Sequence, residues 1–248
     1  MTFNPYSLEG KTILVTGASS GIGKATAIAC SKMGAKVIIT ARNFDRLQGT
    51  FNELIGEGHQ QIIAELTNEE DLKRIVENVP QLDGFVNNAG IGNKTPINFI
   101  KKSTLQNILE VNSIAPIMLS KMLLKKKKLI KGSSMVLTSS ISGVCSVDIG
   151  NTLYSVSKCA IDGFMKNAAK ELMEKGIRVN SVNPGMVDTP INDYSNVSEE
   201  QMKADLQHYI HKRHARPEEI AYAIIYLLSD AAAWVTGTAL KIDGGYSL

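Results

Sequence analysis

The residues of this chain that best suit proton transfer are a tyrosine and a lysine four positions apart, Tyr154 and Lys158. Four residues make about one turn of an α-helix, so on a helix both side chains project from the same face, about 6 Å apart. A free phenol ionises with a pKa of about 10, whereas a neighbouring ammonium favours the phenolate and lowers that pKa. Taken alone, such a pair is more often two neighbours on a solvated helix face. The rest of the chain therefore decides whether the pair is catalytic.

The elements that must position this pair alternate between short β-branched runs and longer helical patterns. Predicted strands cover 11–16, 36–41, 61–64, 85–86, 134–138, 177–182 and 239–242, and predicted helices cover 21–33, 43–56, 103–129, 151–175 and 217–229. Such alternation is typical of a parallel sheet with helices on both faces. Without an internal repeat or an interdomain linker, the sequence predicts one α/β domain over residues 1–248, doubly wound around seven parallel strands.

Composition is that of an ordinary globular protein. With 44% hydrophobic and 21% charged residues, the 248-residue chain can bury a full core. A net charge of +3 is too small to indicate nucleic acid or an anionic membrane as a partner. The lysine run at 125–128 is interpreted as a solvated helix end, with an anion- or partner-binding patch as the alternative.

The cysteines and the chain start favour a reduced compartment. Three cysteines without metal-ligand spacing predict neither a disulfide framework nor a zinc site. The N-terminal residues lack the basic and apolar regions of a signal peptide, and no apolar run approaches the roughly 20 residues needed to span a bilayer. We therefore expect a cytoplasmic protein that binds neither a metal nor a membrane.

A glycine-rich turn joins the first predicted strand to the first predicted helix. It reads Thr-Gly-Ala-Ser-Ser-Gly-Ile-Gly over residues 16–23, so glycines stand where the backbone turns sharply and can approach a ligand. The helix N-terminus beyond it offers free N–H groups and a positive dipole end, which suit a pyrophosphate. The spacing Gly-x-x-x-Gly-x-Gly departs from the common dinucleotide fingerprint, and tight turns also use glycine for geometry alone. Its position nevertheless favours nucleotide binding.

The end of the second strand bears on which dinucleotide is bound. Sites for the unphosphorylated cofactor place a carboxylate there for the ribose hydroxyls. This chain has Arg42 instead, whose guanidinium could form two hydrogen bonds to a 2′-phosphate. NADP is therefore favoured over NAD, with an exposed arginine at a helix start as the alternative interpretation.

Six motifs in order make the chain resemble the short-chain dehydrogenase/reductase family, and the resemblance covers essentially its whole length. They are the turn at 16–23, Asn-Asn-Ala-Gly at 87–90, Ser-Ser at 139–140, Tyr154-x-x-x-Lys158, Asn-Pro-Gly at 183–185 and the ending at 237–245. The chain is most similar to the 3-oxoacyl-carrier-protein reductase-like branch, whose members act on unrelated substrates. The resemblance implies a Rossmann-type fold and a reversible hydride transfer between NADPH and a carbonyl/alcohol pair.

The resemblance also implies roles for four residues. Tyr154 matches the general acid/base, and Lys158 matches the lysine that lowers the tyrosine pKa and binds the nicotinamide ribose. Ser140 matches the serine that hydrogen-bonds the substrate oxygen, and Asn112 the asparagine that holds a water for proton relay. Ser140 lies fourteen residues before Tyr154, one more than the commonest spacing, so Ser142, twelve before, is the alternative.

Cofactor contacts are implied in the same way. The glycine-rich turn matches the pyrophosphate site, 88–90 the adenosine ribose, and 184–189 the carboxamide. Glu65-Leu66 stands where the family has Asp and an aliphatic residue beside the adenine, so this match is looser. The residues implied to bind the cofactor are Gly17, Ser19, Ser20, Gly21, Ile22, Gly23, Arg42, Glu65, Leu66, Asn88, Ala89, Gly90, Tyr154, Lys158, Pro184, Gly185, Val187 and Thr189.

Substrate identity is not determined by these motifs. The segment at 187–211 breaks the strand–helix rhythm and is interpreted as a mobile lid, with a structural excursion as the alternative. Residues such as Val144, Ile149, Leu153 and Met186 indicate a partly apolar pocket. The resemblance implies a homotetramer acting on a small-molecule substrate. The alternatives are an NAD-dependent alcohol dehydrogenase of the same fold and a dinucleotide sensor that has lost catalysis.

Overall fold

The fold is organised by one parallel sheet of seven strands. The computed structural model describes residues 3–192 and 198–248. The strands lie in the order β3-β2-β1-β4-β5-β6-β7, and each pairs in parallel with its neighbours. Their bounds are β1 Thr12–Thr16, β2 Lys36–Ala41, β3 Gln60–Ile63, β4 Leu82–Asn87, β5 Leu129–Thr138, β6 Arg178–Pro184 and β7 Ala239–Ile242. The predicted doubly wound fold is therefore confirmed.

Eight α-helices connect these strands in the described part of the chain. They are α1 Gly21–Lys32, α2 Phe44–Asn52, α3 Glu69–Asn78, α4 Lys102–Leu109, α5 Ala115–Lys125, α6 Thr152–Leu172, α7 Glu199–Leu206 and α8 Pro217–Leu228. The sequence interpretation missed α3, although the helix start carries its own signal. Asn68 accepts hydrogen bonds from the N–H groups of Glu70 and Asp71, and three acidic residues in the first turn complement the helix dipole.

The single helix expected over 103–129 is wrong in detail. It is interrupted by a π-helical turn, Glu110–Ile114, between α4 and α5. Pro116, at the start of α5, explains the interruption. Proline lacks an N–H group, and its ring clashes with the carbonyl four residues earlier, which here belongs to Asn112. The helix also ends before Leu129, where β5 begins five residues earlier than predicted.

Apolar side chains cover both faces of the sheet. Neighbouring residues of β1 point to opposite sides, so Val15 packs in a cluster with α1 and α8 while Leu14 packs in a cluster with α3, α5 and α6. Burial on both faces explains why the central strands are continuous apolar runs. The two layers fix α6, which carries Tyr154, against the sheet.

The strand order reverses between β1 and β4. In open parallel sheets, the crevice at the carboxyl ends beside such a reversal is where ligands bind. The glycine-rich turn follows β1, and the Asn-Asn-Ala-Gly segment ends β4, so the topology brings both predicted cofactor segments to this crevice. Across the described residues, no helix is both long and apolar enough to span a membrane.

Candidate active site

Tyr154 and Lys158 lie in the first two turns of α6. The ammonium of Lys158 is 5.6 Å from the centroid of the Tyr154 ring, as expected for residues one turn apart. Lys158 is buried, and its Nζ donates a hydrogen bond to the carbonyl oxygen of Thr138 at 2.8 Å. The lysine is thus held between the tyrosine ring and the carboxyl end of β5.

The protein alone shifts the pKa of Tyr154 upward, opposite to the lowering expected from Lys158. Burial raises the pKa of the phenol to about 12, and a hydrogen bond with Ser140 acts in the opposite direction. Desolvation disfavours the phenolate, while the ammonium is directed at the Thr138 carbonyl. In this environment the phenol is held in its protonated form, ready to donate a proton.

Burial has the opposite consequence for the lysine. It lowers the pKa of Lys158 to about 8, and the charge of Asp162 works against that lowering. At neutral pH the side chain is therefore an ammonium, but one that loses its charge within about one pH unit above neutrality.

The structure separates the two candidate serines. Ser140 is hydrogen-bonded to Tyr154, and its hydroxyl accepts from the N–H of Ser142 at 3.1 Å. The hydroxyl of Ser142 instead accepts from the side-chain amide of Asn151 at 3.2 Å. Ser140 is therefore the serine in contact with the tyrosine, while Ser142 shapes the loop that follows β5.

Asn112 uses its side chain to hold the backbone beside the site. Its Oδ1 accepts from the N–H of Ile91 at 2.8 Å, and its Nδ2 donates to the Ile91 carbonyl at 2.9 Å and to the Ser157 hydroxyl at 3.0 Å. The amide is thus committed to protein partners. The expected role of Asn112 in holding a water for proton relay stays a prediction.

The glycines of the turn after β1 are required by close contacts. Gly17 and Gly21 have φ values of +66° and +52°. A Cβ atom on Gly23 would lie 2.3 Å from the carbonyl oxygen of Gly17 and 2.5 Å from Nδ2 of Asn88. Ser20, the N-cap of α1, makes no side-chain capping hydrogen bond to the described residues. Ser19 and Ile22 belong to the same turn. Because no side-chain cap of Ser20 occupies them, the N–H groups of the first turn of α1 are available to an anionic ligand.

The segment after β4 joins the cofactor side of the crevice to the catalytic side. The side-chain amide of Asn88 donates to the Thr16 carbonyl at 3.2 Å, and Ala89 donates its N–H to the Thr16 hydroxyl at the same distance. A Cβ atom on Gly90 would lie 3.3 Å from Asn112 Oδ1 and 3.4 Å from Lys158 Nζ. Asn88 therefore links the end of β4 to the end of β1, while Gly90 lies beside Lys158.

The loop after β6 folds back over the glycine turn. A Cβ atom on Gly21 would lie 3.1 Å from Cγ2 of Thr189, which places Thr189 directly against the turn. Pro184 and Val187 are buried. Gly185 is needed for close packing, because a Cβ atom there would lie 3.1 Å from Cα of Asp243.

At the far end of the crevice, Arg42 pairs with Glu65. Their side chains form a salt bridge of 3.2 Å and are 65% and 39% exposed, so the pair is weak and exchangeable. Leu66, the residue beside Glu65, is buried. Arg42 and Glu65, which are both implied to recognise the adenosine end of the cofactor, thus lie next to each other. The Glu65 carboxylate would compete with a 2′-phosphate for the Arg42 guanidinium.

Sequence reasoning missed a buried polar network behind the site. Asp162 on α6 accepts from the Ser181 hydroxyl and from Asn183 Nδ2, each at 2.8 Å. Asn183 Nδ2 also donates to the Ser140 carbonyl at 3.0 Å. The available signal was the four-residue spacing from Lys158 to Asp162, which places both charges on one helix face.

Two loops border the side of the crevice where the sequence predicts the substrate pocket. The Thr95 N–H donates to the Gly150 carbonyl at 2.7 Å, which joins the segment after β4 to the segment before α6. Exposed apolar side chains crowd these loops: Ile97, Phe99, Val144, Val147 and Ile149. Leu153, expected in the pocket, is buried, and Met186 is half-buried.

The segment expected to form a lid is partly described. Val187 pairs with Ala215, and α7 occupies Glu199–Leu206. Residues 193–197, within the expected lid, lie outside the described residues. Its motion therefore stays a prediction.

Comparison with known proteins finds relatives that match nearly the whole chain. The family model described as enoyl-(acyl carrier protein) reductase matches residues 17–247. A 3-oxoacyl-(acyl-carrier-protein) reductase of Thermotoga maritima is 35% identical over 245 residues, covering 96% of this chain and 98% of that protein. An L-xylulose reductase of Caenorhabditis elegans is 37% identical over 248 residues, covering 98% of each chain.

A solved structure shares the fold at similar coverage. It comes from Beutenbergia cavernae, is named as an NAD(P)-dependent gluconate 5-dehydrogenase and holds NADP at low occupancy. It is 29% identical, with a TM-score of 0.89 over 98% of this chain and 99% of that one. The sequence relatives and this structure thus carry the names of reductases or dehydrogenases of 3-oxoacyl-(acyl-carrier-protein), L-xylulose and gluconate.

Proposed function

Because this chain belongs to the short-chain dehydrogenase/reductase family, in its 3-oxoacyl-acyl-carrier-protein reductase-like branch, we propose that it reduces a carbonyl substrate with NADPH, reversibly, and that Tyr154 is the general acid/base. The observation that carries this proposal is the contact of the half-buried Tyr154 phenol with Ser140, beside the Lys158 ammonium.

The chemistry assigned to the chain's own residues follows from that arrangement. Ser140 donates a hydrogen bond to the substrate oxygen and stabilises the negative charge that develops there. Tyr154, held protonated by its environment, donates its proton to the same oxygen in reduction. The ammonium of Lys158 then favours the phenolate left behind, and in alcohol oxidation the same phenolate accepts the proton.

The crevice fits a nicotinamide dinucleotide. The tight turn in which Gly23 packs against the Gly17 carbonyl, the positive φ values of Gly17 and Gly21 and the start of α1 together suit a pyrophosphate. When bound there, the cofactor supplies the hydride for reduction or accepts it in oxidation. Lys158, beside Gly90, is assigned to the nicotinamide ribose, and the loop at 184–189 to the carboxamide.

Arg42 supports NADP over NAD. Its side chain is 65% exposed at the carboxyl end of β2, and its partner Glu65 is itself partly exposed. A 2′-phosphate carries more charge than one carboxylate and can take two hydrogen bonds from the guanidinium. An NAD-dependent alcohol dehydrogenase, in which Arg42 contacts no phosphate, is the second candidate, and the existing Arg42–Glu65 pair is what favours it.

The apolar rim supports a substrate with an apolar portion. Exposed side chains such as Phe99 and Val147 border the entrance, and apolar patches of this kind commonly mark ligand sites.

The homotetramer and the cytoplasmic location expected from the sequence stay predictions. Gel filtration at micromolar concentration tests the tetramer, and a monomer would contradict it.

A panel of substrates tests the proposed function. NADPH consumption is measured with 3-oxoacyl thioesters, keto-sugars and keto-steroids, together with the Kd values of NADPH and NADH from fluorescence titration. We expect turnover with at least one class and tighter binding of NADPH. Tight cofactor binding without turnover of any class would instead favour a dinucleotide sensor.

A further inference from the structure

A buried carboxylate lies one turn beyond Lys158 on α6. Asp162 is 7% exposed, and its two oxygens accept hydrogen bonds from Ser181 and Asn183 on β6. Both of these donors are uncharged. A carboxylate in such a place is costly unless a positive charge compensates it.

Lys158 is the buried cation of α6. It is buried on the same helix four residues earlier, and the charge of Asp162 acts on it in the direction that favours the ammonium. The other titratable neighbour of Lys158 on α6 is Tyr154, and Cys159 is a further neighbour of Asp162. The groups beside the lysine on three other elements are uncharged: the Thr138 carbonyl at the end of β5, Gly90 in the loop after β4, and the Asn112 amide of the π-helical turn, which also borders Gly90.

The same carboxylate is connected to the catalytic serine. Asn183 Nδ2 donates both to Asp162 Oδ2, at 2.8 Å, and to the Ser140 carbonyl, at 3.0 Å. The Ser181 hydroxyl has one hydrogen, which it shares between Asp162 Oδ1 at 2.8 Å and Asn183 Oδ1 at 2.9 Å. The two Nδ2 hydrogen bonds of Asn183 therefore fix the orientation of its amide. A chain of hydrogen bonds therefore runs from Asp162 to the backbone that carries the Ser140 hydroxyl.

We propose that Asp162 is a positioning residue of this active site: it keeps Lys158 in its ammonium form and, through Asn183, holds Ser140 in place against β6. The inference rests on the proposed function. It adds a second buried charge to the catalytic centre, one that need not touch substrate or cofactor.

The test is the pH dependence of Asp162→Asn, which removes the charge and keeps the shape. We expect the alkaline limb of kcat/KM for reduction to move to lower pH by on the order of one unit. The pH at which NADPH binding weakens, followed by fluorescence, should move equally and requires no turnover. In Asp162→Glu, which keeps the negative charge, the alkaline limb should lie close to its wild-type pH.

Ser181→Ala is the matched control, because it removes a hydrogen bond to the carboxylate but leaves the charge. The alkaline limb of the kcat/KM profile of Ser181→Ala should stay at the wild-type pH. A shift equal to that of Asp162→Asn would mean that loss of hydrogen bonds in the network, and not loss of the charge, moves the limb. Asn183→Ala should lower kcat without moving the limb. If Asp162→Asn does not unfold cooperatively, Asp162→Ser is the second neutral variant, with the same shift expected.

An unchanged alkaline limb in the folded neutral variant would overturn the inference. That result is distinct from failure of the proposed function. If Tyr154→Phe is inactive while Asp162→Asn keeps the original limb, only the role of Asp162 is lost. If Tyr154→Phe is fully active, the proposed function itself is lost.

Discussion

The ammonium of Lys158 lies 2.8 Å from the carbonyl oxygen of Thr138, the last residue of β5. This hydrogen bond places a buried positive charge at the carboxyl end of the central strands, beside the phenol of Tyr154. Burial lowers the pKa of the lysine to about 8, so its charge depends on pH close to neutrality.

Reduction should slow as pH rises through about 8. Below this value Lys158 is an ammonium, and Tyr154, whose pKa is raised, stays protonated. Above it Lys158 is neutral and no longer stabilises the phenolate, so kcat/KM should fall by up to about tenfold per pH unit. The measurement is the pH profile of NADPH consumption between pH 6 and 10 in a constant-ionic-strength buffer. A profile that is flat through pH 9 would contradict the assignment.

The lysine should also affect stability. Its folded pKa, about 8, is below the ordinary value of 10.5, so between these values the unfolded chain binds the extra proton and stability rises with pH. Relative to Lys158→Met, the wild-type free energy of unfolding should rise by up to about 1.4 kcal/mol per pH unit over this window. Urea unfolding of both proteins at pH 7, 8, 9 and 10 measures the difference. A constant difference would show that the lysine pKa is not lowered.

Gly23→Ala should weaken cofactor binding. The new methyl group would lie 2.3 Å from the Gly17 carbonyl oxygen, so the turn has to move. We expect the Kd for NADPH to rise by at least about tenfold, or about 1.4 kcal/mol. Gly49→Ala is the matched control, since a Cβ atom on that helical glycine has no neighbour within 4 Å among the described residues. The control should bind NADPH normally and gain about 0.5–1 kcal/mol of stability.

Arg42 and Glu65 should affect cofactor choice in opposite directions. Arg42→Ala removes the proposed partner of the 2′-phosphate, so the Kd for NADPH should rise by about tenfold while that for NADH changes little. Glu65→Gln removes the competing carboxylate 3.2 Å from Arg42 and should tighten NADPH binding by less than about fivefold. Fluorescence titration of both variants with both cofactors measures this. NADH binding at least as tight as NADPH binding, unaffected by Arg42→Ala, would favour NAD.

The strand pattern and the ordered motifs were sufficient to predict the fold. Apolar runs in β1 and β2 reflect burial on both faces, which a sequence shows directly. The short α3 was missed because its polar surface outweighs its three buried residues, Leu72, Ile75 and Val76. The π-helical turn was missed because its cause, Pro116, acts on the residue four positions earlier.

The site was predictable only in part. The sequence supplied Tyr154, Lys158 and Ser140 as candidates, but the choice between Ser140 and Ser142 depends on hydrogen bonds across the loop after β5. The direction of the Tyr154 pKa shift depends on burial, which a sequence does not display. The link between Asp162 and Asn183 joins residues 21 positions apart and follows from the packing of α6 on β6.

The central claim is that Tyr154 transfers the proton, and its most direct test is the kcat of Tyr154→Phe at saturating NADPH with a substrate identified by the panel. Tyr222→Phe, which removes an exposed phenol on α8, is the matched control. We predict a loss of about 10²–10⁴ in kcat for Tyr154→Phe with the NADPH Kd within about twofold of wild type, and an unchanged kcat for the control. A Tyr154→Phe enzyme that turns over at the wild-type rate would contradict the account.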